Sequence, residues 1–85
     1  MDIAHTSAAE RIARVIAGHR LSSNGDGVSS SAGAAVDGSW RDHLDEAVAI
    51  LHTLREPDAA MAEAGDAAVW ERMVRVAIDR AGDLG

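Results

Sequence analysis

The stretch from Trp40 to Ala81 constrains the fold most, because two breaks divide it into three segments of helical periodicity. Pro57 disfavours helical backbone at the residue before it, and Gly65 followed by Asp66 joins a helix stop to a helix start. Each segment carries one apolar stripe at steps of three and four residues, which is typical of an amphipathic helix. The stretch therefore predicts helices over 40–55, 57–64 and 67–81, with a single kinked helix over 57–81 as the alternative.

A further helix is predicted near the N-terminus, over residues 7–21. Ser7 and Glu10 have the spacing of a capping box, in which the serine hydroxyl accepts a hydrogen bond from the backbone amide of Glu10. The segment carries an apolar stripe of its own at steps of three and four residues: Ala9, Ile12, Ala13 and Ile16, with Val15 at the edge.

Residues 22–38 separate this helix from the rest and are rich in Ser and Gly. They offer little apolar surface to bury, so the sequence predicts a flexible internal loop. A phosphate-binding loop is the alternative, but the segment has no G-x-x-x-x-G-K-[ST] pattern and the chain has no Lys. The chain is thus predicted to be a single all-α domain over 1–85, a small bundle of three longer helices and one short helix.

The apolar stripes predict both a core and a residual surface patch. The predicted core consists of Ile12, Ile16, Trp40, Leu44, Val48, Leu51, Leu54, Trp70, Met73, Val74 and Ile78. The candidate interface consists of four side chains beside the stripes: Ile50, Met61, Val69 and Val76. For the two Trp residues, an interface anchor is the alternative to the core. A core this small is commonly supplemented by oligomerisation, so the sequence predicts a homodimer.

The charge balance of the chain limits the kinds of partner that it is expected to bind. The chain has 14 acidic residues against 8 basic ones, a formal net charge of −6, and no Cys. Nucleic-acid binding proteins usually present a basic surface, so direct binding to nucleic acid is disfavoured. Glu71, Asp79 and Glu10 are interleaved with the arginines that could form the basic face of such a site: Arg72, Arg75 and Arg80, with Arg11, Arg14 and Arg20.

One grouping resembles a chemical site. His43 lies beside Asp42, Asp45 and Glu46, a set compatible with a divalent cation or with general acid–base chemistry. There is no H-E-x-x-H pattern and no second ligand pair, and carboxylates are favoured at a helix start in any case. The sequence therefore predicts a non-enzyme with no catalytic residue, no metal, no cofactor and no small-molecule substrate.

The N-terminus has no basic segment followed by an apolar run, and no stretch approaches the ~18 apolar residues of a membrane span. We therefore expect a cytoplasmic protein without a membrane partner.

Several short motifs resemble a family of small helical proteins from alphaproteobacteria and their phages. These motifs are Leu54-Arg55-Glu56-Pro57, Ala60-Met61, Ala64-Gly65 and Val69-Trp70-Glu71-Arg72-Met73, with Trp40 and Glu10-Arg11-Ile12-Ala13 before them. Family members often have more residues between the Met-containing turn and the Trp-containing helix. The resemblance implies a helical fold and a bacterial or prophage origin, and it transfers no activity or catalytic residue to this chain.

By elimination, the predicted function is that of a small non-enzymatic interaction protein, acting by self-association or by docking on a larger partner. The alternative is a nucleic-acid-associated regulator or accessory protein of phage or prophage origin.

Overall fold

The structure, a computed structural model, describes residues 3–24 and 32–84, and most of these residues lie in helices or one 3₁₀ turn. In chain order these are α1 (Ala8–Asn24), α2 (Ala32–Ser39), a 3₁₀ turn (Trp40–His43), α3 (Leu44–Leu54), α4 (Ala59–Ala64) and α5 (Ala67–Ala81). No strand occurs in these two described segments, which confirms the all-α class.

Side-chain caps set the helix starts. Ser7 Oγ accepts a hydrogen bond from the backbone amide of Glu10 at 3.3 Å, as the capping-box pattern predicts. The carboxylate of Asp58 accepts from the amide of Met61 at 2.9 Å, so α4 begins after Asp58 rather than at Pro57. Asp66 caps α5 in the same way. The segment 57–81 therefore forms two helices, not one kinked helix.

The loop predicted over 22–38 is shorter than expected, because both of its ends are helical. The helix α1 continues to Asn24, and α2 occupies the second half of the segment. Two tertiary contacts explain α2: Asp37 pairs with Arg14 at 2.6 Å, and Val36 packs against the core. Residues 25–31, the remainder of the predicted loop, lie outside the described residues.

The helix predicted over 40–55 has a different start from the expected one. Ser39 does not cap it; its hydroxyl instead donates to the backbone oxygen of Ala35 at 2.8 Å and closes the last turn of α2. The following residues form the 3₁₀ turn, and regular α-helix begins only at Leu44.

A stripe of small residues on α1 lies at the centre of the core. Ala9, Ala13 and Ala17 are at most 1% exposed and recur every four residues, so neighbouring backbones can approach this face closely. Of the predicted stripe, Ala9 and Ala13 are buried, whereas the larger Ile12 and Ile16 are only half-buried. The remaining buried residues come from the 3₁₀ turn, α3 and α5: Trp40, Leu44, Ala47, Leu51, Val74 and Ala81. Val48, Trp70 and Ile78 pack against them, partly buried.

Two residues assigned to the core are exposed instead. Leu54 is 42% exposed, because it ends α3 and the next helix does not cover that end. Met73 is 64% exposed, because it falls on a second face of α5.

All six residues of α4 are exposed. The radius of gyration is 14.9 Å, whereas a compact domain of this length is expected near ~12 Å. The fold thus leaves apolar surface open at the α4 end.

Candidate interaction surface

The first surface feature is a groove between α4 and α5, here called the α4–α5 groove. It encloses about 400 Å³. Its lining residues are Pro57, Met61, Ala64, Gly65, Asp66, Ala67, Val69, Trp70 and Met73. Asp66 is the single charged residue among them, and its carboxylate already caps α5. The groove is therefore an apolar surface rather than a set of converging polar groups.

A second groove runs between α1 and α5 and is here called the α1–α5 groove. It encloses about 620 Å³. Its lining residues are Ala8, Arg11, Ile12, Val15, Leu51, Leu54, Trp70, Met73, Val74 and Ala77. Trp70 and Met73 belong to both grooves, so the two grooves join into one apolar trough along α5.

Two adjacent stripes on α5 produce this trough. Trp70, Val74 and Ala81 face the bundle, where Val74 and Ala81 are buried and Trp70 is half-buried. Val69, Met73 and Val76 follow at the i, i+4, i+7 spacing of a different face and are all exposed. The bundle covers only the first of these two apolar faces of α5, so the second face stays exposed to solvent.

The four candidate interface residues are all exposed, and two of them line a groove: Ile50, Met61, Val69 and Val76. Met61 and Val69 line the α4–α5 groove, whereas Ile50 and Val76 line neither groove.

Sequence reasoning did not place Val15, Leu54 or Met73 in an exposed site, and it gave Trp70 an interface role only as the alternative to the core. Val15 is 71% exposed on α1 and was visible in the sequence only as the edge of the first stripe. A signal for Met73 was present, since it shares the helical spacing of Val69 and Val76. No sequence signal distinguishes Leu54 from its buried neighbours on α3.

Charge is distributed unevenly around the trough. Between Glu56 and Glu71 the chain has five carboxylates and no basic residue. This segment contains α4 and the first turns of α5. Its carboxylates are all exposed: Glu56, Asp58, Glu63, Asp66 and Glu71. No ion pair within 4.0 Å involves any of them among residues 3–24 and 32–84. The segment that forms the α4 end of the trough is thus acidic, and Arg55 and Arg72 stand directly before and after it in the sequence.

By contrast, polar side chains of α1, α2 and the 3₁₀ turn contact one another. Arg14 pairs with Glu10 at 2.8 Å and with Asp37 at 2.6 Å. Its pKa is raised further above its usual value, first by Asp37 and then by Glu10. The Arg14 and Arg41 guanidinium carbons lie 5.4 and 4.3 Å from the centroid of the Trp40 ring, within cation–π range. This cluster fixes α1, α2 and the 3₁₀ turn together.

The candidate acid–base grouping is also engaged in structural contacts. His43 Nδ1 donates to Glu46 Oε1 at 3.0 Å, and Arg20 donates to the other oxygen of Glu46 at 2.6 Å. The hydrogen bond from His43, followed by that from Arg20, holds the pKa of Glu46 below its ordinary value, and desolvation opposes this shift. Within the described residues, no three His, Asp or Glu side chains cluster as metal ligands do.

No protein-family model, curated protein or solved structure matches this chain. The resemblance to small alphaproteobacterial and phage proteins stays a prediction. None of the described helices has the length and apolar character needed to cross a membrane.

Proposed function

We propose that this protein is a non-enzymatic helical interaction protein, which acts by self-association or by docking on a larger partner in the cytoplasm. The continuous apolar trough along α5 is the observation that carries the proposal. Contiguous exposed apolar surface is costly in water, and on soluble proteins it commonly marks a site of protein contact. The two charged residues that line the trough are engaged in local contacts: Asp66 caps α5, and Arg11 donates a hydrogen bond to the backbone oxygen of Thr6.

The homodimer is the simplest form of this function, because a two-fold axis buries one self-complementary patch twice. Light scattering after size exclusion tests it. The double variant Met61→Gln/Met73→Gln removes two apolar groups from the trough and keeps residues of similar size and helix propensity. Leu21→Gln is the matched control, since Leu21 is an exposed apolar residue of α1 outside both grooves.

We expect the wild-type protein and the Leu21→Gln control to have the mass of two chains at micromolar concentration. A shift of the methionine double variant towards one chain would mean that the dimer contact includes the trough. Ile50→Gln/Val76→Gln tests the predicted patch outside the grooves in the same way. If the wild-type protein stays monomeric at high concentration, the homodimer hypothesis is wrong and docking on another protein is the remaining form of the function. In that case, affinity capture is used to compare the proteins that bind the wild-type chain with those that bind the Met61→Gln/Met73→Gln variant.

A nucleic-acid-associated role is the second candidate. Arg72, Arg75 and Arg80 are exposed on α5 and supply positive charge for it. The remaining observations weigh against it, since Arg14 and Arg20 are paired with carboxylates and the net charge is −6. Nanomolar binding to duplex DNA at physiological salt, in a gel-shift assay, would reverse this order of preference.

A further inference from the structure

We infer that the trough binds an amphipathic helix of another protein, with basic residues on the part of that helix that lies over α4. The inference rests on the proposed function and specifies the chemistry of the partner.

The shape of the trough suits a helix. Its wall on α5 extends from Ala67 to Ala77, which corresponds to about 15 Å at 1.5 Å per residue, or close to three helical turns. An amphipathic helix of that length places apolar side chains at i, i+3, i+4 and i+7 along such a groove. An extended segment would need a free strand edge for its backbone hydrogen bonds, and residues 3–24 and 32–84 contain no strand.

Charge specifies the polar face of the partner. Five carboxylates lie in the segment from Glu56 to Glu71, which contains α4 and the first turns of α5, and the nearest basic residues in the sequence stand at its two ends. A partner with Lys or Arg at the border of its apolar face gains attraction there, whereas an acidic partner is repelled. Exposed charges are screened over a Debye length of about 8 Å at physiological salt, so this preference must weaken as salt is added.

The same charges disfavour a second copy of this chain as the occupant of the α4 end. A two-fold contact centred there places each acidic segment opposite its counterpart, so that like charges face each other. The groove is therefore better matched to a basic segment of a different protein, and self-association is left to other apolar positions such as Ile50 and Val76.

Methionine methyl groups provide a direct probe of binding. The chain has three Met residues, and two of them, Met61 and Met73, line the α4–α5 groove. With ¹³C-methyl-labelled methionine, the signals of these two residues are followed by NMR during a peptide titration. The first peptide is an amphipathic helix with Leu at the i, i+3, i+4, i+7 positions and Lys beside them. The second is identical except that Glu replaces each Lys.

We expect the Lys peptide to shift both methyl signals and to bind roughly tenfold more tightly than the Glu peptide at low salt. The difference should shrink as salt rises. The variant Glu56→Gln/Glu63→Gln/Glu71→Gln removes three rim charges but keeps Asp58 and Asp66, which cap helices. It should lose most of the preference for the Lys peptide. Asp42→Asn/Asp45→Asn/Asp83→Asn makes the same change of net charge outside both grooves and should keep the preference.

The results that would contradict this inference differ from those that would contradict the proposed function. Equal binding of both peptides overturns the basic partner and retains a protein-binding trough. Methyl shifts that depend on the concentration of the protein alone also overturn it, because a second copy then occupies the groove. If neither peptide binds and the protein stays monomeric without any captured partner, both this inference and the proposed function are wrong.

Discussion

The indole Nε1–H of Trp70 donates a hydrogen bond to the backbone carbonyl oxygen of Leu54, across 2.7 Å. Leu54 is the last residue of α3, where carbonyl groups have no partner within their own helix. The bond therefore ties the start of α5 to the end of α3 across the exposed α4. It also holds the Trp70 ring where the two grooves meet.

Trp70→Phe should lower the free energy of unfolding by about 0.5–1.5 kcal/mol, since it removes this hydrogen bond and keeps an aromatic ring. Chemical denaturation measures the loss. Leu54→Ala is the informative control, because it retains the carbonyl oxygen and should leave the indole N–H of Trp70 protected from hydrogen exchange. Rapid exchange of that N–H in the wild-type protein would contradict the proposed link.

The sequence predicted α5 well and α2 not at all, and the reason is physical. Gly65 and Asp66 are local signals that act within one turn, so the predicted 67–81 agrees with Ala67–Ala81. The formation of α2 depends on its contacts with α1, such as the ion pair of Asp37 with Arg14, which are remote along the sequence. Local composition around Gly33 predicted a loop there instead.

The same distinction applies to the trough. Periodicity identified the apolar positions of α3 and α5, and the structure buries Leu44, Leu51 and Val74. Periodicity did not show which of the two adjacent stripes on α5 packs against another helix, since that depends on where α1 and α4 lie. Met73 and Leu54 were therefore assigned to the core, and their role in the trough was visible only in three dimensions.

Glu46 should make stability sensitive to acid. Its pKa is lower in the folded protein than the ordinary value of 4.5, because His43 and then Arg20 donate hydrogen bonds to its carboxylate. A lowered folded-state pKa stabilises the protein above the unfolded-state pKa, and this contribution is lost as the pH falls through the folded-state value. The stability difference between wild type and Glu46→Gln should therefore be present at neutral pH and shrink below about 4.5.

Denaturation midpoints measured over this pH range check the Glu46 prediction. Asp45→Asn controls for the loss of one negative charge, because Asp45 is exposed and adjacent to Glu46. A wild-type advantage over Glu46→Gln that stays constant down to strongly acidic pH would show that the carboxylate acts by something other than its charge.

Gly18→Ala should stabilise the protein. Gly18 lies inside α1, where glycine costs roughly 0.5–1 kcal/mol relative to alanine. A Cβ atom at this position would lie 3.8 Å from Cγ2 of Val36, an ordinary van der Waals separation, so no clash offsets the gain. Ala13→Val is the contrasting change, since Ala13 is fully buried and overpacking should cost about 1–3 kcal/mol. If thermal unfolding shows Gly18→Ala to be destabilised, then α1 and α2 approach more closely than described.

Met73 and Val74 are neighbours in sequence and should respond in opposite ways to substitution. Val74 is 7% exposed and Met73 is 64% exposed, because they lie on the covered and the uncovered stripe of α5. Val74→Ala should lower the free energy of unfolding by about 1–3 kcal/mol through lost burial and a cavity. Met73→Ala should change it by no more than about 0.5 kcal/mol, as is usual for surface positions. Both values come from denaturant unfolding at low protein concentration, where any dimer has dissociated. A large loss at Met73 under those conditions would mean that its side chain is packed within the single chain, and the trough would then lack one of the two residues that join its halves.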